Sequence, residues 1–213
     1  MKQIVVLSAL FVIVSVALPA LTAETDPVPA NQLTPGVALV APDATETYGS
    51  VGTTWSGVPR ERGNIFSVAS AVNVTLIEWY LTVPSSETIY FVIYRKLNDG
   101  TLTGTYDQDF ITSVVTSTSG PDWVSSGAMS YTLDPSYYYY MSVAWDTVSC
   151  TYYRGTEATP FATGFGQLET GVAAGSGHPA TWNNTYSSGS FSPYYQRLTF
   201  DPVPVELQSL IVE

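Results

Sequence analysis

Val74-Thr75-Leu76-Ile77-Glu78-Trp79-Tyr80-Leu81-Thr82-Val83 is the stretch that decides the fold. Laid out as an extended chain, it places Ile77, Trp79, Leu81 and Val83 on one face and Val74, Leu76, Glu78, Tyr80 and Thr82 on the other. That period of two is the mark of a strand with one buried side, and the first set predicts the core face. Pro84-Ser85-Ser86 ends it. Alternation resumes over 88–97, with Ile89, Phe91 and Ile93 against Tyr90, Val92 and Tyr94, up to Asn98-Asp99-Gly100, whose residues tolerate positive φ and predict a turn.

Working outward, 65–68, 110–117, 128–133, 137–146, 149–154 and 194–200 read as further strands. Gly120-Pro121, Asp134-Pro135 and the glycine-rich run 175–179 punctuate them. Tyr137-Tyr138-Tyr139-Tyr140 must divide between two faces, so two of the four rings point outward or lie under a loop. No segment carries a sustained helical stripe. Only 12% of residues are charged while 13% are aromatic, with 15 tyrosines, a composition that favours strands over helices. The expectation is one all-β domain, an antiparallel β-sandwich of jelly-roll type, over 48–200.

Ahead of it, Lys2 and the uncharged run 4–23 have the order of a secretory signal peptide, 1–23, with Ala23 at the cleavage point. An uncleaved anchor is the competing reading; Pro19 and Ala23 favour cleavage. Residues 24–47, with Pro27, Pro29, Pro35 and Pro42, read as a linker that carries at most one edge strand. Residues 201–213 read as a C-terminal linker or edge strand. These segments predict a protein that is secreted or held at the bacterial cell surface, with no membrane contact after signal cleavage.

The formal charge is −11, and removal of Lys2 with the signal makes it −12. Six cations spread over an acidic chain disfavour phosphate backbones, so nucleic acid is not an expected partner. The single cysteine, Cys150, permits no internal disulfide and reads as a small buried hydrophobe.

Gly63-Asn64-Ile65-Phe66-Ser67-Val68, the stretch 74–81, Phe91-Val92-Ile93-Tyr94, Trp123-Val124-Ser125-Ser126-Gly127, the run 137–145 and the closing segment from His178-Pro179 to 194–199 together resemble a family of uncharacterised exported bacterial β-sandwich domains. Pro202-Val203-Pro204-Val205-Glu206-Leu207 is similar to segments that link such domains to a following module. The resemblance implies a surface or extracellular β-module without established catalysis.

Chemistry-bearing residues are few. His178 is the only histidine, which excludes a multi-histidine zinc site. No Gly-x-Ser-x-Gly elbow accompanies it, so a loop histidine bonded to backbone is the expectation. Glu78, Asp122, Asp146, Glu157 and Glu169 could supply the carboxylate pair, about 5–10 Å apart, of a glycan hydrolase or lyase, but no two share a strand face at i and i+2. Asp99, Asp107 and Asp109 cluster around a hairpin loop and could offer oxygen ligands to calcium, without the distal glutamate of an EF-hand. Trp55, Trp123 and Trp182 lie among Gly, Ser, Thr and Asn, where core packing demands them least. They are the candidates for stacking against the C–H face of a sugar. Trp79 and Trp145, on strands, are expected in the core. The leading expectation is a non-catalytic exported module for cell-surface architecture, adhesion or glycan contact, with glycans or other surface proteins as partners.

Overall fold

The computed structural model describes residues 43–202; the segment read as a signal peptide, the one read as a linker up to residue 42 and the segment 203–213 lie outside the described residues. The fold is an antiparallel β-sandwich without helices among those residues, as the alternation predicts. One sheet has the order β1 (Ala44–Tyr48), β14 (Gln196–Pro202), β4 (Val72–Thr82), β10 (Cys150–Arg154), β2 (Thr53–Gly57). β7 (Asp122–Ser125) and β8 (Tyr131–Leu133) pair with β4 as well. The other sheet runs β11 (Phe161–Thr163), β12 (Gly166–Ala173), β3 (Arg60–Val68), β9 (Tyr137–Trp145), β5 (Glu87–Leu97), β6 (Gly104–Thr116), β13 (Thr181–Asn184). We refer to them as the β4 sheet and the β9 sheet. β1 begins at Ala44, inside the segment read as linker, and pairs residue for residue with β14.

The main core lies between the sheets. Ile77, Trp79, Leu81, Leu198 and Phe200 meet Phe66, Phe91, Ile93, Tyr139, Met141 and Trp145, all essentially removed from water. Burying each such side chain contributes about 1.5–3 kcal/mol. One residue of the decisive stretch departs from its expected face. Val74 is in the core with Ile77, because Leu76 pairs with Thr199 and Val74 with Phe200, leaving Thr75 as an extra residue. That bulge shifts the alternation by one position.

The four tyrosines of β9 divide as expected. Tyr137 and Tyr139 pack on the main core, while Tyr138 and Tyr140 lie on the opposite face of the β9 sheet. There they join Ile65, Val92, Tyr94, Tyr106 and Val172 in a second apolar cluster. The segment 174–193, which includes β13, covers this cluster. Trp182 and Tyr186 pack on it, the Asn184 amide donates to the Leu102 carbonyl at 2.7 Å, and His178 stacks on Tyr90 at 4.0 Å. The part of the outer face under this segment is therefore buried, while Ile111 and Val115 on β6 stay exposed. Gly63 allows the close approach: a Cβ there would stand 2.4 Å from the Tyr140 ring and 2.5 Å from the Met141 carbonyl oxygen.

Candidate binding faces

The outer face of the β4 sheet has a different character. Across β7, β4, β14 and β10, side chains at alternate positions put four aromatic rings side by side. Tyr80 pairs directly with Trp123, their rings 5.3 Å apart. Tyr195, just before β14, lies 4.9 Å from Trp123 and 5.1 Å from Tyr80, and Tyr153 lies 5.3 Å from Tyr80. Trp123, Tyr80 and Tyr195 are half-buried, so part of each ring meets solvent.

This strip is anchored by charge. Glu78 and Arg197 stand opposite each other in the β4–β14 ladder. The guanidinium donates from Nε and Nη2 to the two carboxylate oxygens, both at 2.6 Å. The fork geometry makes this a strong, orienting pair, and it pushes the Arg197 guanidinium above its ordinary value. The same guanidinium lies 4.4 Å from the Trp123 ring centroid, a cation–π contact that fixes the indole. On its other side Trp123 borders a hollow of about 420 Å³ lined by Thr116, Ser117, Thr118, Ser119, Asp122 and Ser125.

The three candidate tryptophans thus fall in three places. Each stands on a short strand and not in a loop as its polar neighbours suggest: Trp55 on β2, Trp123 on β7, Trp182 on β13. Trp182 packs on Tyr140 at 4.4 Å and Tyr106 at 5.4 Å, which makes it part of the second cluster. Trp55 is 50% exposed and borders an opening with Arg62, Tyr152, Arg154, Ala173 and Tyr194. Trp123 alone joins the half-buried strip of rings on the β4 sheet.

The three aspartates are engaged separately. Asp99 accepts from Lys96 Nζ at 2.6 Å and from Thr101, which holds its carboxyl down at about 2. Asp109 pairs with Arg95 at 3.0 Å and accepts from the Tyr131 hydroxyl at 2.6 Å. Asp107 stands opposite Arg95 and Thr181 in the ladders of β6. Among the described residues no group of three or more His, Cys, Asp or Glu side chains is placed to hold a metal ion. His178 meets an aromatic ring, and its Nδ1 is buried without a partner. Cys150 is fully buried and, chiefly through that burial, its thiol is pushed up to about 12.

Three residues with perturbed surroundings escape the sequence reading: Glu61, Arg62 and Arg154. Glu61 is completely buried on the outer face of the β9 sheet, where Ser142 donates to Oε1 at 2.7 Å and Oε2 has no partner. Burial raises its carboxyl to about 7 against the opposing pull of Ser142, Tyr94 and Arg62. The available signal was Arg60-Glu61-Arg62 itself, three consecutive charges in a chain only 12% charged. No protein-family model matches the chain, and no curated protein shows significant similarity to it.

Proposed function

We propose that this chain is a non-catalytic module of an exported or surface protein that contacts glycans through the Trp123–Tyr80–Tyr195 strip. One observation carries the reading: three contiguous, part-exposed rings lie on an open sheet face, one of them clamped by a bidentate ion pair. Flat sugar faces present C–H groups that pack on such rings. The hydroxyl-lined hollow beside Trp123 supplies donors and acceptors for sugar hydroxyls. A fixed indole also loses little freedom on binding, which favours affinity. The signal-like N-terminus supports export, and the acidic surface favours neutral or weakly charged polysaccharide over nucleic acid.

A glycan array followed by titration of the best oligosaccharide tests this. Trp123→Ala should weaken binding by about 1–3 kcal/mol, taking base–aromatic stacking as the scale, or roughly tenfold or more. Trp182→Ala should lower Tm and leave the affinity of the folded fraction unchanged. Equal affinity of Trp123→Ala and the parent chain would refute the assignment.

A further inference from the structure

A second site, independent of the strip, is lined by β2 and β10 of one sheet and β3 and β12 of the other. We propose that it binds a carboxylate-bearing sugar, with the carboxylate on Arg62 and Arg154 and the ring against Trp55.

This acidic chain uses its few cations in different ways. Of the six in the described residues, Arg95, Lys96 and Arg197 each hold a carboxylate. Arg60 donates to the Pro59 carbonyl, and like it Arg62 and Arg154 form no ion pair among the described residues, although carboxylates outnumber cations in the chain more than twofold. Arg62 and Arg154 line the same opening of about 190 Å³. That volume is below the ~300–1,000 Å³ of drug-sized sites and suits a single sugar ring.

Their orientation is set by aromatic rings. The Arg62 guanidinium lies 5.1 Å from the Tyr152 ring centroid, reaching from β3 across to β10. Arg154 lies 5.9 Å from the centroid of Trp55 and 5.8 Å from that of Phe191. A guanidinium packed on ring faces keeps its in-plane N–H edge available for an anion. Arg62 directs Nη1 to the Glu61 carbonyl at 2.6 Å, while its Nε, like that of Arg154, is buried with no partner. Both arginines are half-buried, and the N–H groups at the accessible ends of their guanidinium forks can make charge-assisted hydrogen bonds to a ligand carboxylate. Both guanidinium groups line the opening together with the Tyr194 side chain. The half-exposed Trp55 at the rim offers the apolar face that inorganic anions do not need and a pyranose does.

The test is titration of the ¹⁵N-labelled full chain with D-glucuronate, observed at the Arg Nε–Hε and Trp indole signals. Expected are shifts at Arg62, Arg154 and Trp55, suppressed by salt, with glucose and acetate each binding at least tenfold more weakly. Arg154→Gln and Trp55→Ala should each weaken glucuronate by tenfold or more at unchanged Tm. Trp123→Ala should leave it untouched, which separates this site from the glycan strip. Glucose equal to glucuronate would remove the role of the arginines. Acetate or sulfate equal to glucuronate would reduce the site to an anion pocket without a sugar. Shifts confined to the Trp123 face, or none at all, would overturn the proposal outright.

Discussion

Replacing Glu61 with Gln should make the protein more stable at pH 8 and change it little at pH 4. The carboxyl is wholly buried, with one oxygen hydrogen-bonded to Ser142 and the other unpartnered. Folding raises its midpoint from the ordinary 4.5 to about 7, through burial first and the nearby charge of Asp146 last. The folded state therefore holds a proton that the unfolded state releases between these two values. The group's contribution is fully present below pH 4.5, falls as pH rises through about 7, and is flat above. At ~1.36 kcal/mol per pH unit the loss amounts to about 3 kcal/mol. Gln cannot ionise, and its amide can donate to the Tyr94 or Tyr140 hydroxyl, both buried without partners. The variant should thus recover most of that loss at high pH, roughly 6–12 °C in Tm for a domain of this size. Urea unfolding of both proteins at half-unit steps from pH 4 to 8 measures it. Other titrating groups are common to both chains, so the difference curve isolates Glu61. Parallel curves through pH 4.5–7 would mean that the buried carboxyl is ionised in the folded state, and the reasoning would fail.

Glu87 has the opposite sign. Its burial raises the carboxyl's midpoint, but hydrogen bonds from Thr147, Val148 and Thr88 together outweigh that and lower it. Its contribution is present above pH 4.5 and is lost as pH falls through the lowered midpoint. Glu87→Gln should cost about 1–3 kcal/mol at pH 7 and flatten acid denaturation below pH 4.5, checked by the same urea titrations extended to pH 2. Cys150, buried with its thiol raised to about 12, should resist a thiol reagent in the native protein at pH 8 and react fully in denaturant. Rapid labelling without unfolding would contradict its placement in the core.

How much was legible depends on where each determinant resides. Ile77, Trp79, Leu81 and Val83 declare their face locally, and so do Ile89, Phe91 and Ile93, because the pleat alone sets their direction. Val74 could not be placed that way: the extra residue at Thr75 is defined by the pairing with β14, about 120 positions on. β12 escaped detection because Gly166 and Gly171 weaken its strand signal. Both glycines answer tertiary contacts, since added Cβ atoms would meet the Ser67 and Ser192 carbonyl oxygens at 2.1 and 2.3 Å. Strands β2 and β13 are rich in Ser, Thr and Asn, a composition shared with loops, and β7 spans only four residues. Arg62 and Arg154 are separated by 92 positions, and nothing in either neighbourhood announces that they line one opening.

Trp123 and Trp182, both half-buried, show why what a ring packs against, and not the composition around it, indicates its role. Both occupy four-residue strands among small polar residues, and both touch two tyrosines. The difference lies in what happens to the sheet face beneath them. On the β9 sheet the segment 174–193 folds back, and Trp182 becomes one of the residues that close a second core. Burial of that apolar face gives a stability reason for the aromatic residues there. On the β4 sheet the rings of Tyr80, Trp123 and Tyr195 stay partly in water, with an ion pair spent on orienting one of them. Their mutual packing stabilises the sheet as cross-strand aromatic pairs do, while the solvent-facing part of each ring contributes nothing until something covers it. Under the proposed function the cover is a glycan chain lying along the strip, with Trp123 held in place by the Arg197 contact.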